Sequence, residues 1–330
     1  MAAAFRLGLA GGGRMGRTHL RALAGSDLVR VTAIAEPSAQ SRAELAGAGP
    51  GLYPGLAEML ATESLDGVLI AAPTPLHGQL IAEVAAAGLP VICEKPCGMT
   101  SGQARAAARA TAAAGVPLQI AYWRRYVPAL AALRERMHGG EIGDIQLVSC
   151  YQWDEQPPPA AFRAASGGIA IDMGVHEFDQ LRWLTGQDLR VLGAAAATAG
   201  EETRAAHDVD CAQFLLELSG GACGFVSLGR FHPPGDMARV EVFGTGGIIR
   251  CDFLDPAEGV RAQLDAVRRQ AEDFAVLARG GPGQGATPAD AIAALAAAEQ
   301  ATAANPAMAG PRAGPCPAPR SCGSGSPATG

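Results

Sequence analysis

Residues 5–20 read FRLGLAGGGRMGRTHL: an apolar run, Arg6–Ala10, stops in three glycines and resumes as a helical pattern. Gly11-Gly12-Gly13-Arg14-Met15-Gly16 matches G-x-G-x-x-G, a pattern that carries weight here because of what flanks it. Between a buried strand and a helix, Gly11 makes the tight turn and Gly13 lets the backbone approach a pyrophosphate. Gly16 then lets helix and strand pack closely. The helix start, with Arg14 and Met15 in its first turn, offers unpaired N–H groups to an anion. Glu36 ends the second strand, twenty residues past Gly16. A carboxylate there accepts both hydrogen bonds of an adenosine ribose diol and repels a 2′-phosphate, so NAD is expected over NADP. Arg42, in the next helix, is a cation that would soften that exclusion.

The first 120 residues repeat this alternation. Strand-like runs Arg6–Ala10, Leu28–Ala35, Gly67–Ala72, Leu89–Cys93 and Pro117–Ala121 are separated by helical stretches rich in Ala, Leu, Glu and Arg. Crossovers of that length imply a parallel sheet covered on both faces. After residue 122 the pattern changes. A helix, Val127–His138, precedes the strand Asp144–Asp154, a Pro-rich loop and a helix beginning near Met173. Strands then dominate (Leu189–Ala196, Val209–Leu218, Cys223–Phe231, Arg239–Phe243, Gly247–Phe253), joined in places by short Gly-containing turns. The expected fold is α/β then α+β. A doubly wound Rossmann domain spans residues 1–121, and a domain on a largely antiparallel open sheet spans 122–304. The closing helices within 260–303 are free to pack back near the first domain. Residues 305–330 are low-complexity, cannot bury a core, and are expected to be disordered.

Composition excludes several classes. Hydrophobic residues make up 48% and charged residues 18% of 330, which is a globular balance. A net charge of −6 provides no basic footprint for nucleic acid or an anionic membrane. The alanine-rich stretches are broken by Glu, Arg and Gln, so no transmembrane helix is expected. The opening MAAAFRLGLAGGG reads as a first strand and not a leader, and eight scattered cysteines read as reduced thiols. A cytoplasmic protein is expected. Cys93 and Cys97 flank Lys95 with no neighbouring His or Cys pair to complete a zinc site, so no metal is expected.

Two stretches carry chemistry. In LPVICEKPCGMT, the run Val91-Ile92-Cys93 ends in Glu94, Lys95 and Pro96. Strand carboxyl ends of a doubly wound sheet face the ligand crevice, so Lys95 is aimed there. In GGIAIDMGVHEFDQLRWLTG, Asp172 and His176 are four apart and share a face of one α-helix. An Asp beside a His orients the ring and leaves one nitrogen as a base. An exposed i,i+4 ion pair accounts for the same spacing. Glu177 and Asp179 add ligand types, but no second His follows and the set does not fall on one face.

With GGGRMGRTHL, APTPLHGQLIAEVAAAGLPVICEKP, AYWRRYVPAL, GEIGD and GGIAIDMGVHEFDQLRWLTG in this order, the chain resembles the Gfo/Idh/MocA oxidoreductase family. The branch with bacterial inositol 2-dehydrogenases is the most similar, and the likeness covers about residues 5–303. The resemblance implies that Lys95 sits beside the nicotinamide, with Asp172 and His176 on a helix facing the same cleft. It implies oxidation of a secondary hydroxyl of a cyclitol or sugar, with His176 as general base, Asp172 orienting it and Lys95 assisting. It also implies cofactor contacts from Thr74, His77 and Glu94, substrate contacts from Arg125 of the Arg124-Arg125 pair, and a homodimer or homotetramer. The chain departs from that branch at Gln152 and Asp154, where His and Asn are usual. A negative Asp154 would suit an amino-cyclitol or amino sugar. The link from Phe253 to Val260 is also short. Other readings are an aldose or amino-cyclitol dehydrogenase, an NAD-dependent glycosidase, and a non-catalytic NAD-binding regulator.

Overall fold

The computed structural model describes residues 3–206, 208–254 and 259–308. The chain begins β1 (Phe5–Ala10), α1 (Arg14–Leu23), β2 (Val29–Ala35), α2 (Ala39–Leu45), β3 (Gly51–Tyr53), α3 (Leu56–Thr62) and β4 (Gly67–Ile70). It continues with α4 (His77–Ala86), β5 (Val91–Glu94), α5 (Ser101–Ala114) and β6 (Leu118–Ala121). The six strands form one sheet in the order β3-β2-β1-β4-β5-β6, with every pair parallel. Every residue of β4, β5 and β6 is buried, because helices cover both faces; these strands therefore read as unbroken apolar runs. Local chemistry ends the helices where the sequence breaks: Thr100 caps α5 through its side chain, and Gly115 closes it at φ +68°. The edge strand β3 has only three half-buried residues, too few to show a period, and is an addition to the strands expected.

The second half comprises α6 (Pro128–His138), β7 (Ile145–Trp153), α7 (Ala160–Ala165), α8 (Val175–Thr185), β8 (Leu189–Ala197) and α9 (Glu201–Ala205). Then come β9 (Cys211–Leu218), β10 (Cys223–Gly229), β11 (Met237–Gly244), β12 (Gly247–Leu254), α10 (Gly259–Ala278) and α11 (Pro288–Ala303). Its sheet order is β12-β11-β7-β10-β9-β8. Neighbours run antiparallel except β7 and β10, which are parallel. A parallel pair needs a long crossover, and residues 154–222 supply it, carrying α8 across one face. Along β9, Ala212, Phe214, Leu216 and Leu218 face the core while the alternate residues point away. Helix α10 packs on α1 and α11 on α5 and α8, so both halves share closing helices.

The structure extends order further than expected at the end of the chain. Pro306–Met308 forms a 3-10 turn, and Met308 is buried against the core. Residues 309–330, expected to be disordered, lie outside the described residues, as does most of the short link before α10. Among the described residues no helix is long and apolar enough to cross a membrane.

Candidate active site

The carboxyl ends of the parallel strands assemble one edge. Gly11 follows β1 with φ +107°, and a Cβ there would meet the Ala71 carbonyl oxygen at 2.7 Å. A Cβ on Gly16 would sit 2.1 Å from the Gly11 carbonyl oxygen, so helix and turn approach this closely because residue 16 is glycine. Gly13 is different: nothing lies within 4 Å of where its Cβ would be. It caps α1 with no side-chain hydrogen bond, which leaves an open cradle at a helix N-terminus. Arg14 is exposed and Met15 half-buried beside it.

Glu36 is buried at the end of β2, its carboxylate accepting hydrogen bonds from the N–H groups of Gly12 (2.7 Å) and Ser38 (2.8 Å). Arg42 donates instead to the carbonyl oxygens of Glu36 (2.6 Å) and Pro37 (2.9 Å). The glycine cradle and the carboxylate together fit the pyrophosphate and adenosine ribose of NAD. Glu36→Gln should weaken NAD binding by about tenfold or more, the value of a charge-assisted hydrogen bond, and leave NADP binding less affected. Fluorescence titration of both dinucleotides measures it; equal losses for the two would remove Glu36 from the ribose.

Lys95 follows β5. Its Nζ donates to the Asp172 carbonyl oxygen at 2.7 Å and lies 3.7 Å from Asp172 Oδ1. It is the only lysine in the chain, where the other 25 basic residues are arginine. Asp172 comes from the second domain, in a π-helical turn, Ala170–Gly174, that runs directly into α8. Gly167 and Gly168 set up that turn at φ +83° and +85°. Because the turn is π-helical, the α-helical four-residue spacing does not apply. Among the described residues no hydrogen bond joins Asp172 to His176, so the orienting pair expected from sequence is not formed. Asp172 Oδ2 instead meets Arg230 Nη1 at 2.5 Å. Burial opposes ionisation of Asp172, but Lys95 and then Arg230 overcome it and hold the carboxyl below its ordinary value.

His176 opens α8 and is 8% exposed. The rings of Tyr122 and Trp123 stand edge-on to it at 6.0 and 6.4 Å, and its Nδ1 has no partner among the described residues. Aromatic packing, not a carboxylate, sets its orientation. Burial, then the charges of Lys95 and Arg124, push its pKa well below 6.5, leaving a neutral imidazole.

The parallel pairing of β7 with β10 brings Gln152 and Asp154 to the same edge as Arg230, with Asp154 N–H donating to the Gly229 carbonyl oxygen at 3.0 Å. Arg124 donates to Gln152 Oε1 (2.8 Å), and Gln152 Nε2 donates to Asp154 Oδ1 (3.1 Å). Arg124 itself is buried against Glu177 and Gln180. Burial raises the Asp154 carboxyl above its ordinary value.

Three expected contacts are placed elsewhere. Arg125 is held by Asp179 (3.0 and 2.5 Å) and Asp290 (3.3 Å), which ties the turn after β6 to α8 and α11. His77 is 1% exposed, with Nδ1 and Nε2 each 2.8 Å from the carbonyl oxygens of Pro96 and Ala72. It clips together the loops after β4 and β5 and has no nitrogen left for a cofactor. Glu94 is buried on His19 Nε2 (2.7 Å) and on the Lys95 N–H (3.2 Å), so it braces the lysine's backbone. Thr74 stays half-buried in the turn after β4. Sequence reasoning missed Arg230, Asp208, His19 and the aromatic pair. The one available signal was the arginine ending the apolar run GFVSLGR.

Residues 5–122 match the model of an oxidoreductase family with an NAD-binding Rossmann fold, and residues 130–250 match the GFO/IDH/MocA C-terminal domain. The rhizopine catabolism protein MocA of Rhizobium meliloti is 50% identical over 298 residues, 90% of this chain and 94% of that protein. The chain belongs to the Gfo/Idh/MocA oxidoreductase family. Its fold superposes on a myo-inositol dehydrogenase from Corynebacterium glutamicum ATCC 13032 with a TM-score of 0.83 at 26% identity, covering 91% of this chain and 97% of that one. GenD2 from gentamicin A biosynthesis, solved in complex with NAD, superposes with a TM-score of 0.84 at 26% identity, covering 92% and 95%. As in the family, the first domain of this oxidoreductase binds NAD.

Proposed function

We propose that this family member oxidises a secondary hydroxyl of a cyclitol or sugar, NAD accepting hydride from the carbon that bears it. The observation that carries the reading is the meeting of Lys95 from one domain with the Asp172 turn of the other, beside a neutral, buried His176. His176 takes the hydroxyl proton on a ring nitrogen, for which its lowered pKa keeps it unprotonated. Lys95 donates from Nζ to the same oxygen. Asp172 anchors Lys95 rather than His176. Trp123 and Tyr122 keep water from the imidazole.

Gln152 supports a narrower substrate class. Its carbonyl and amide are engaged by Arg124 and Asp154, so a substrate at this edge meets the remaining acceptor capacity of Asp154. That selects a donor, a hydroxyl or an ammonium group, and it favours amino-cyclitols alongside inositols. Kinship with a rhizopine catabolism protein, a myo-inositol dehydrogenase and an antibiotic-biosynthesis protein is consistent with both.

A panel of inositols, amino-cyclitols and aldoses, followed by NADH absorbance with NAD and then NADP, tests the reading. Net NADH from a cyclitol is the expected result. Cleavage of a glycoside with no net NADH would replace it with a glycosidase, and NAD binding without turnover of any panel member would favour a regulator.

A further inference from the structure

Arg230 immediately follows β10 and is fully buried, yet no charged partner lies on its own strand. Its Nη1 meets Asp172 Oδ2 at 2.5 Å, while Nε and Nη2 lie 3.1 and 2.8 Å from Asp208 Oδ2. Asp208 is itself buried, and its Oδ1 accepts the Ile169 N–H at 3.1 Å. Ile169 directly precedes the π-helical turn that carries Asp172. A row of alternating charge therefore runs Lys95, Asp172, Arg230, Asp208 from the cleft into the second domain, and its far end is tied to the backbone of the turn at its near end. A buried guanidinium carries a desolvation cost, and here two carboxylates offset it.

We propose that Arg230 is a positioning residue for the site: by gripping the Asp172 carboxylate from behind, it leaves Lys95 resting on the Asp172 carbonyl oxygen with N–H groups free for substrate. The distances have that order. Asp172 Oδ2 is in full contact with Arg230, whereas Oδ1 stands 3.7 Å from Lys95, and the short bond of the ammonium is to a neutral carbonyl oxygen at 2.7 Å. Without Arg230 the carboxylate is free to close on Lys95 and occupy it. The other titratable groups interacting with Asp172 or Lys95 are Arg14 at the start of α1, Asp154 after β7, His77 on α4 and His176 on α8, while Glu94 on β5 accepts the Lys95 N–H. None of the groups on this row other than Arg230 touches Asp172 Oδ2. The part concerning substrate rests on the function proposed above; the part concerning Asp172 does not.

The single lysine makes the test direct. Reductive methylation with ¹³C-formaldehyde labels Lys95 and the chain's amino terminus, and the Lys95 methyl resonance reports the protonation of Asp172 beside it. Asp172→Asn should abolish the low-pH step in that resonance, which assigns it. Arg230→Gln should move the step to higher pH, because one of the two cations that offset the burial of Asp172 is removed, and should lower kcat about 10²-fold, as a misplaced reacting group does. NAD affinity should stay within about threefold, a difference of under 1 kcal/mol. Arg230→Lys should restore part of both. If Arg230→Gln fails to fold, the double variant with Asp208→Asn removes the stranded carboxylate and gives the same readout. An unmoved step in a folded variant overturns the proposal and leaves Arg230 a structural residue. A moved step with no turnover by the unmodified protein on any substrate supports the positioning and rejects the proposed function instead.

Discussion

Lys95→Met is expected to lower turnover by about 10²–10⁴-fold, the usual worth of a positioned proton-transfer group, while NAD affinity changes by less than about threefold. Methionine keeps an unbranched apolar stem close to that of lysine, so chiefly the ammonium is lost. Arg cannot stand in for it: a guanidinium is planar, larger than an ammonium and does not give up its proton, so it does not reproduce the compact donor that sits on the Asp172 carbonyl oxygen. A chain that uses arginine at all its other basic positions keeps lysine here. Lys95→Arg should therefore fail nearly as completely. Steady-state NADH formation and NAD titration by tryptophan fluorescence separate the two effects, and turnover within tenfold of the unmodified protein would remove Lys95 from the chemistry.

The pH dependence follows from His176. Its pKa in the folded chain lies well below 6.5, so the ring stays a base as pH falls through the range where an exposed histidine charges. The same shift has a stability consequence of definite sign. Below about pH 6.5 the unfolded chain takes up a proton that the folded chain does not. The stability from burying the neutral ring is thus complete above that pH and declines beneath it. His77, also lowered by burial, acts in the same direction. His176→Asn should flatten part of this slope in thermal melts recorded from pH 7 to 5.

Asp179→Ala is the change expected to cost most in stability. It leaves the Arg125 side chain, 8% exposed, with the half-buried Asp290 at 3.3 Å as its one remaining carboxylate among the described residues. Breaking a buried pair by removing one member costs about 3–5 kcal/mol. For a chain of this size that is a fall in melting temperature of about 4–7 °C. Asp179→Asn, which keeps the hydrogen-bond acceptor, should lose less. The kinetics decide between two roles for Arg125. Where it ties α8 to α11, the variants that fold retain KM for substrate. A KM raised tenfold with little change in melting temperature would return Arg125 to the substrate.

The first domain was legible because its signals are local. A strand buried on both faces is an unbroken apolar run, and a phosphate cradle is a few glycines at fixed offsets. The acidic end of β2 lies at a fixed distance along the chain. Lys95 could be found in the same way, since a lysine ending an apolar run is placed by its own strand. Arg125, His77 and Glu94 occupy the expected loops; what the sequence does not encode locally is which partner each side chain takes within the protein. That depends on partners far along the chain: Asp179 and Asp290 for Arg125, the loops after β4 and β5 for His77, and His19 for Glu94. Arg230 belongs to the same class: it follows β10 and takes its two carboxylates, Asp172 and Asp208, from the crossover far earlier in the chain. Backbone periodicity and turn geometry are set by near neighbours, and sequence alone determined the fold class and the cofactor cradle. The pairing of buried charges is set by the low-dielectric interior in which they finish, where an unpaired ion is costly, and only the tertiary structure decided which carboxylate each cation took.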